Sequence, residues 1–218
     1  MNRITENTRR ILGELPEGVE LLVAGKGRTA DELMAAVEGG ARIIGQNYVQ
    51  AAEPAIRAIG NLVQWHFIGH LQRNKAKRAV ELFQMIETVD SIELACELDK
   101  RCAGIGLIMP VLIEVNSARE SRKAGVFPED VVALTRGIAS LPNVRLMGLM
   151  TMGPLARAAG ECRPFFSGTR RLFDEIDSLA LPHVQMKYLS MGMTDTYKIA
   201  IREGANIIRI GRGIFGER

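Results

Sequence analysis

A lysine between two glycines is the first residue of the chain whose position suggests chemistry. Lys26 comes directly after the apolar run VELLVAG (19–25), which is typical of a buried strand. An amine at the end of a buried strand can lose contact with water, which favours its neutral form, and Schiff-base formation requires a neutral amine. The alternative is a lysine in a surface loop. A nucleotide-binding P-loop is excluded because Gly27 stands where that motif needs Ser or Thr.

Two glycine-containing segments in the last part of the chain have the composition of an anion site. They contain Ser190, Gly192, Met193 and Thr194 in the first segment and Gly211, Arg212 and Gly213 in the second. Glycine lets backbone N–H groups approach an anion, and threonine adds a hydroxyl. The alternative is that these glycines only make tight turns. Because both segments follow apolar runs near the end of the sequence, we favour a phosphate site.

The second segment also matches the GxGxxG pattern of dinucleotide-binding proteins. That motif needs a following helix and an acidic residue about 20 positions further on. The sequence stops at Arg218, so we expect no helix after the last strand and no dinucleotide site.

Arg209 lies two residues before Gly211, so both are expected on the same face of a strand. An arginine stays charged and can donate a hydrogen bond to a ring nitrogen without losing its proton. Alternatively it pairs with a carboxylate such as Glu114. His66 and His70 flank another apolar run without acidic neighbours in the sequence. We expect packed or hydrogen-bonded histidines there and no zinc site.

Strands and helices must alternate to position these residues. Eight apolar runs without strict alternation are typical of strands buried on both faces of a parallel sheet; they are 19–25, 41–47, 63–69, 83–90, 107–116, 144–152, 184–192 and 205–211. Amphipathic segments lie between them, one opened by a Thr29–Glu32 capping box. The pattern predicts a (β/α)8 TIM barrel as one domain over residues 1–218, with an open doubly wound sheet as the alternative. A helix over about residues 2–15 is expected to cover the gap between strands eight and one.

Composition narrows the class of protein further. Of 218 residues, 47% are hydrophobic and 24% are charged, which is ordinary for a globular protein. The net charge is +3 and aromatic residues make up 5%, so nucleic acid is not an expected partner. Cys96, Cys102 and Cys162 include no CxxC pair and are expected to be reduced packing residues. Neither a signal peptide nor a membrane span is evident, and we expect a cytoplasmic location.

Several longer segments resemble one family. AGKGRT, WHFIGHLQRNK, VNSARESRKAG, LSMGMTDTYKIAIREG and IIRIGRGIFGER occur in the order found in the pyridoxal phosphate homeostasis protein family, also known as YggS-like or proline-synthetase co-transcribed proteins. The resemblance runs from about residue 20 to the last residue. It implies a type III fold for pyridoxal 5'-phosphate (PLP), related to the N-terminal barrel of alanine racemase.

The resemblance also implies roles for individual residues. Lys26 would form an aldimine with PLP, and Arg209 would face the pyridine nitrogen. Thr194, Gly211 and Arg212 would hold the phosphate, and Ser190, Gly192 and Met193 would shape that loop. Asn47 and His66 would lie near the cofactor. The sequence departs from the family around the lysine (Gly25, Gly27 and Arg28), at Gln46 in place of a glutamate, and at Met193–Thr196 in place of MSDD.

The family is one of PLP carriers, so the resemblance implies a carrier and buffer in vitamin B6 homeostasis without robust turnover. PLP is a stronger electron sink when its ring nitrogen is protonated, and Arg209 would keep that nitrogen unprotonated. Enzymes that need PLP are the expected recipients, and we expect a monomer. Two alternatives stay open: a low-activity amino-acid racemase using a proton from Tyr48, Tyr188, Tyr197 or a cysteine, and a PLP-free lyase that uses Lys26 on a sugar phosphate.

Overall fold

Eight parallel strands close into a barrel in the computed structural model, which describes residues 2–154 and 159–217. The strands are β1 (Glu20–Ala24), β2 (Ile43–Gln46), β3 (Gln64–Phe67), β4 (Met85–Val89), β5 (Met109–Glu114), β6 (Val144–Thr151), β7 (Val184–Met191) and β8 (Ile207–Ile210). Each strand pairs with its sequence neighbours, and β8 pairs with β1 through Leu21–Ile208 and Leu22–Arg209. The predicted TIM barrel is confirmed, and each strand lies within one of the eight apolar runs.

Helices follow the strands and form the outer layer. They are α1 (Arg3–Glu14), α2 (Ala30–Glu38), α3 (Val49–Ile59), α4 (Ala76–Leu82), α5 (Ile92–Ala103), α6 (Val131–Ile138), α7 (Arg163–Ser178), α8 (Tyr197–Arg202) and α9 (Arg212–Phe215). Short 3-10 turns cover Gly60–Leu62, Arg73–Lys75, Pro128–Asp130 and Ala159–Cys162. In the described part of the chain, no helix combines the length and apolar character that crossing a bilayer requires.

Two apolar clusters fill part of the barrel interior. Leu22, Ile43 and Ile207 form one buried cluster there, with Tyr188 packed against it. A second cluster contains Met85, Leu112 and Met150. Buried His66, Glu87, Ser190 and Arg209 lie beside these clusters and form the polar layer of the barrel.

Helix α1 covers the junction between β8 and β1, as predicted. Asn7 Nδ2 donates to the Ile214 carbonyl at 2.9 Å, and Thr5 Oγ1 donates to the Ala35 carbonyl at 2.9 Å. Tyr197 donates its hydroxyl to Glu14 at 2.7 Å, which fixes the end of α1 against α8. The helix is therefore tied to α2, α8 and α9 at once.

The prediction that no helix follows the last strand is wrong. Helix α9 occupies Arg212–Phe215, one turn that starts immediately after the Gly211 loop. Buried Ile214 pins this turn to the core, and the Asn7 bond caps it from outside. A single turn was missed because a four-residue helix has no amphipathic period to recognise.

Polar caps mark the starts of two helices, and the predicted capping box is one of them. Thr29 and Glu32 form the capping box at the start of α2, and the helix ends at Gly39. Ser91 caps α5 by accepting from the Leu94 N–H.

The cysteines on α5 face opposite ways. Cys102 is buried, whereas Cys96 is exposed and is not the packing residue that was predicted. Cys162, the third, is buried. The six-residue spacing on the helix explains why the first two lie on different faces.

Candidate functional site

A cavity of about 560 Å³ opens at the carboxyl ends of the strands, where function was predicted. Its walls bring together predicted residues from four strand ends: Lys26 after β1, Asn47 after β2, Met193 and Thr194 after β7, and Arg209, Gly211 and Arg212 in β8 and just after it. The cavity size is typical of a site for a small ligand or cofactor. His66, Ser190 and Gly192 do not line it.

Lys26 stands at the mouth of this cavity. Its Nζ lies 5.6 Å from the centre of the Tyr48 ring, and the side chain is exposed. The expected withdrawal of Lys26 from water is therefore not seen. The neighbouring glycines explain its position: Gly27 has φ +65°, and a Cβ at Gly25 would lie 2.9 Å from Leu33 Cδ2. The tight turn carries the lysine out over the cavity instead of into the wall.

The loops after β7 and β8 are joined to each other. Thr194 Oγ1 accepts from the Gly213 N–H at 3.1 Å, and Thr196 Oγ1 accepts from the Met193 N–H at 3.0 Å. Gly192 has φ +90°, and a Cβ there would lie 2.7 Å from Ala200 Cβ, so the close approach of the loop to α8 requires glycine. The loops after β7 and β8 together form a cup. Its rim carries the Thr194 hydroxyl, glycines and the start of α9.

Arg212 lies at the outer rim of the cup and is ion-paired. Its Nη2 contacts Asp195, and Nη1 is 3.7 Å from Glu217. An anion in the cup would therefore share this guanidinium with two carboxylates. The negative charge of Asp195 beside a predicted phosphate loop was not anticipated from the sequence.

Arg28 lines the cavity, although its sequence position indicated only a departure from the family pattern. Its guanidinium stacks on the Phe215 ring at 4.7 Å, and Nη1 donates to Glu32 at 3.0 Å. Arg28 Nη2 also lies 3.4 Å from the Gly216 carbonyl. This contact links the loop after β1 to the last residues of the chain, a pairing that no local sequence signal reveals.

Arg209 is buried in the polar layer beneath the cavity, with only 5% of its surface exposed. Nη1 donates to Ser190 Oγ at 2.7 Å, and Nη2 donates to the Thr151 carbonyl at 2.8 Å. Burial lowers the pKa of Arg209 from its ordinary value, and the charges of Glu87 and Glu114 oppose that shift. An arginine stays protonated in this setting. The anticipated alternative, direct pairing with Glu114, is not among the hydrogen bonds of the described residues.

Ser190 links Arg209 to a buried glutamate, which also contacts His66. Glu87 is fully buried; its Oε1 lies 2.7 Å from His66 Nδ1, and its Oε2 accepts from Ser190 Oγ at 2.6 Å. Burial opposes ionisation of Glu87, but the hydrogen bond and charge of His66 and the charge of Arg209 hold the pKa of this carboxyl below its ordinary value. Arg209, Ser190, Glu87 and His66 therefore form one continuous buried chain of hydrogen bonds.

The sequence view that the histidines lack acidic neighbours is wrong in three dimensions. His66 contacts Glu87, and His70 Nδ1 lies 3.3 Å from Asp90. Both acids come from the next strand and its end, which a linear search does not pair with β3. Within residues 2–154 and 159–217, no cluster of three or more His, Cys, Asp or Glu side chains has the form of a metal site.

The residues considered as a second proton donor are spread apart. Tyr48 faces Lys26, whereas Tyr197 bonds Glu14 on the outside of the barrel. Tyr188 packs against the apolar cluster of Leu22, Ile43 and Ile207. The three cysteines lie outside the cavity.

A closed barrel with a lysine at the end of its first strand and a glycine-containing cup after its last two strands defines the alanine-racemase-like class of barrels. The chain matches the family model described as alanine racemase, N-terminal domain, over residues 1–218. Solved alanine racemases share only the fold: that of Corynebacterium glutamicum is 15% identical with a TM-score of 0.78, covering 99% of this chain and 60% of the other.

Relatives with higher identity carry another name. Proteins called pyridoxal phosphate homeostasis protein are 37% identical in Aquifex aeolicus, over 98% of this chain and 97% of the relative, and 34% identical in Pseudomonas aeruginosa, over 100% and 97%. The structure of PipY from Synechococcus elongatus with PLP bound is 33% identical, with a TM-score of 0.89 and coverage of 98% and 100%. The chain belongs to the pyridoxal phosphate homeostasis protein family.

Proposed function

We propose that this protein binds PLP and acts as a carrier and buffer of the cofactor in intracellular PLP homeostasis. One observation carries the proposal: Lys26, Arg209 and Thr194 line the same cavity of about 560 Å³. These three side chains offer an amine, a permanent cation and a hydroxyl. The names of the relatives and the PLP-bound PipY structure support the same assignment.

The donor set suits each part of the cofactor. Thr194, Gly211 and the start of α9 would hold the phosphate, because glycine lets backbone N–H groups approach an anion and Thr194 adds a hydroxyl. Arg209 would face the ring nitrogen, and Lys26 is the amine proposed for the covalent link. PLP supplies an aldehyde that condenses reversibly with primary amines.

A carrier is favoured over an enzyme by the way Arg209 is held. Its guanidinium is fixed by Ser190 and the Thr151 carbonyl and compensated by buried Glu87. A permanent cation beside the ring nitrogen disfavours its protonation, which weakens the electron sink that amino-acid chemistry needs. We extend the proposal to a cytoplasmic monomer that hands PLP to enzymes lacking their cofactor.

The test is to load the full chain with PLP, reduce it with borohydride and locate the modified residue by intact mass and peptide mapping. We expect the loaded protein to be yellow before reduction and to carry one adduct on Lys26 after it. Both the colour and the adduct should be lost in Lys26→Ala. Lys77→Ala is the matched control, because Lys77 is exposed on α4 away from the cavity. An adduct that persists in Lys26→Ala refutes the assigned lysine. A colourless protein trapped only with a sugar phosphate supports the lyase instead.

The racemase is the second candidate because Tyr48 lies against Lys26. It predicts exchange of the α-hydrogen of amino acids in deuterated buffer at enzyme-like rates, abolished by Tyr48→Phe. We expect no such exchange, and finding it would replace the carrier proposal.

A further inference from the structure

A second cavity of about 220 Å³ adjoins the first, at the ends of β5 and β6. It shares Asn47, Ile68 and Met152 with the larger cavity, so the two are neighbours across that wall. The loop after β5 closes its other side. The residues proposed to contact the aldehyde, ring nitrogen and phosphate of PLP do not line this second cavity. Binding of PLP therefore does not explain the polar groups found there.

Glu114 is the dominant charged group of this cavity. It is only 8% exposed, and its carboxylate accepts no hydrogen bond from any described residue, although its backbone carbonyl pairs with the Val126 N–H. Glu87, the other buried carboxylate of the barrel, has two partners on its oxygens. A buried carboxyl without a partner that lines a cavity is an acceptor awaiting a donor from a ligand.

Ser117 adds a second acceptor with a defined orientation. Thr151 Oγ1 donates its only proton to the Val115 carbonyl at 2.8 Å. The hydroxyl of Ser117, 2.9 Å from Thr151 Oγ1, must therefore donate to it. The lone pairs of Ser117 Oγ are left to accept a hydrogen bond from the cavity.

Two donor side chains of this cavity, Lys123 and Asn116, are engaged by acceptors of the protein itself. Lys123 Nζ donates to Glu120 at 2.7 Å and to the Gly153 carbonyl at 3.2 Å. Asn116 Nδ2 donates to the carbonyls of Glu120 and Lys123, which fastens the loop. The second cavity therefore offers a ligand mainly hydrogen-bond acceptors, namely the Glu114 carboxylate and Ser117 Oγ. This favours a cation that carries N–H donors.

We propose that this second cavity binds a small primary ammonium compound, with the Glu114 carboxylate and Ser117 Oγ as its acceptors. The site stands on the side chains of the second cavity alone. Its purpose, to hold the amine that receives the cofactor next to Lys26, rests on the proposed function.

The charges that face Glu114 set how binding depends on pH. Burial raises the pKa of Glu114 to about 7; Arg209 and His70 oppose this, and Asp90 adds to it. Lys123 lines the same cavity but is neutralised by Glu120. Since only the ionised carboxylate attracts an ammonium, binding is expected to strengthen as pH rises through about 7.

The experiment titrates the PLP-free full chain with methylammonium at constant ionic strength, followed by calorimetry and by the carboxyl carbon signal of Glu114. We expect Glu114→Gln to weaken binding roughly tenfold or more, the loss of a charge-assisted hydrogen bond. Glu129→Gln is the matched control: it removes the same charge from a residue that pairs with Arg119 away from the cavity, and it should bind like the parent chain. Circular dichroism verifies that both variants fold.

Three results overturn the inference: equal affinity in Glu114→Gln, binding that does not change with pH, or tetramethylammonium binding as tightly as methylammonium, since it has no N–H donor. Because PLP is absent from this titration, its outcome is independent of the proposed function. A chain that binds methylammonium but never PLP keeps the ammonium site and refutes the carrier.

Discussion

The Thr194 side chain has two roles: its hydroxyl joins the loops after β7 and β8, and it lines the cavity. We predict that Thr194→Ala weakens PLP binding by about 1–3 kcal/mol, the cost of one hydrogen bond to a charged group. Thr194→Ser keeps the hydroxyl and should retain most of the affinity. A binding titration that gives equal affinity for the alanine variant removes Thr194 from the phosphate site.

Arg209 is the residue on which the buried polar layer depends. We predict that Arg209→Gln shifts the absorbance of bound PLP and lowers the free energy of unfolding by about 3–5 kcal/mol, because Glu87 loses a compensating charge. Denaturant unfolding and the spectrum of the loaded chain measure the two effects. Stability that matches the parent chain would show that Arg209 does not compensate the buried glutamate.

At the scale of elements, the position of α8 against the end of β7 depends on one glycine. Gly192 and Gly18 have nearly the same backbone angle, φ +90° and +82°, but only Gly192 has neighbours that a Cβ would strike. We predict that Gly192→Ala destabilises the chain by about 1 kcal/mol or more beyond Gly18→Ala, and that it also weakens PLP binding. Equal unfolding midpoints for the two variants would mean that α8 moves aside without cost.

The loop after β5 shows how an element becomes ordered by its own polar groups. Within this loop, 117–126 and the preceding Asn116, the Asn116 and Lys123 side chains donate hydrogen bonds to loop carbonyls and to the Gly153 carbonyl. A bridge between Val115 and Val126 closes its base. The loop is thus a wall of the second cavity, so the surroundings of Glu114 are set by tertiary structure.

For the whole molecule, Glu114 gives the stability a distinctive pH dependence. The pKa of this carboxyl is raised by burial to about 7, above its unfolded value, so its proton binds more tightly in the folded chain. Its contribution is fully present below about pH 4.5 and is lost as pH rises through about 7, a fall of about 3 kcal/mol in the free energy of unfolding.

Glu114→Gln isolates this contribution from that of Glu87, whose pKa is lowered and whose effect has the opposite sign. We predict that the variant is more stable than the parent chain at about pH 8 and gains nothing at about pH 4. Denaturant unfolding at both pH values measures the difference. A gain that does not change with pH would mean that Glu114 is ionised throughout.

The sequence alone determined the barrel, its eight strands and the identity of several residues that line the cavity. Buried parallel strands need continuous apolar runs, and the residues that follow such runs meet at one end of a parallel barrel. This local rule placed Lys26, Thr194, Arg209 and Gly211 around one cavity without any knowledge of contacts.

Only the tertiary structure decided how those residues are held. The partners of His66 and Arg209 come from β4, β6 and β7, and Arg28 meets Phe215 from the far end of the chain. Such pairings depend on barrel closure and register, which join residues as distant in sequence as Arg28 and Gly216, 188 positions apart. Burial, which sets the protonation of Glu114 and leaves it facing a cavity, likewise exists only once the chain has closed on itself.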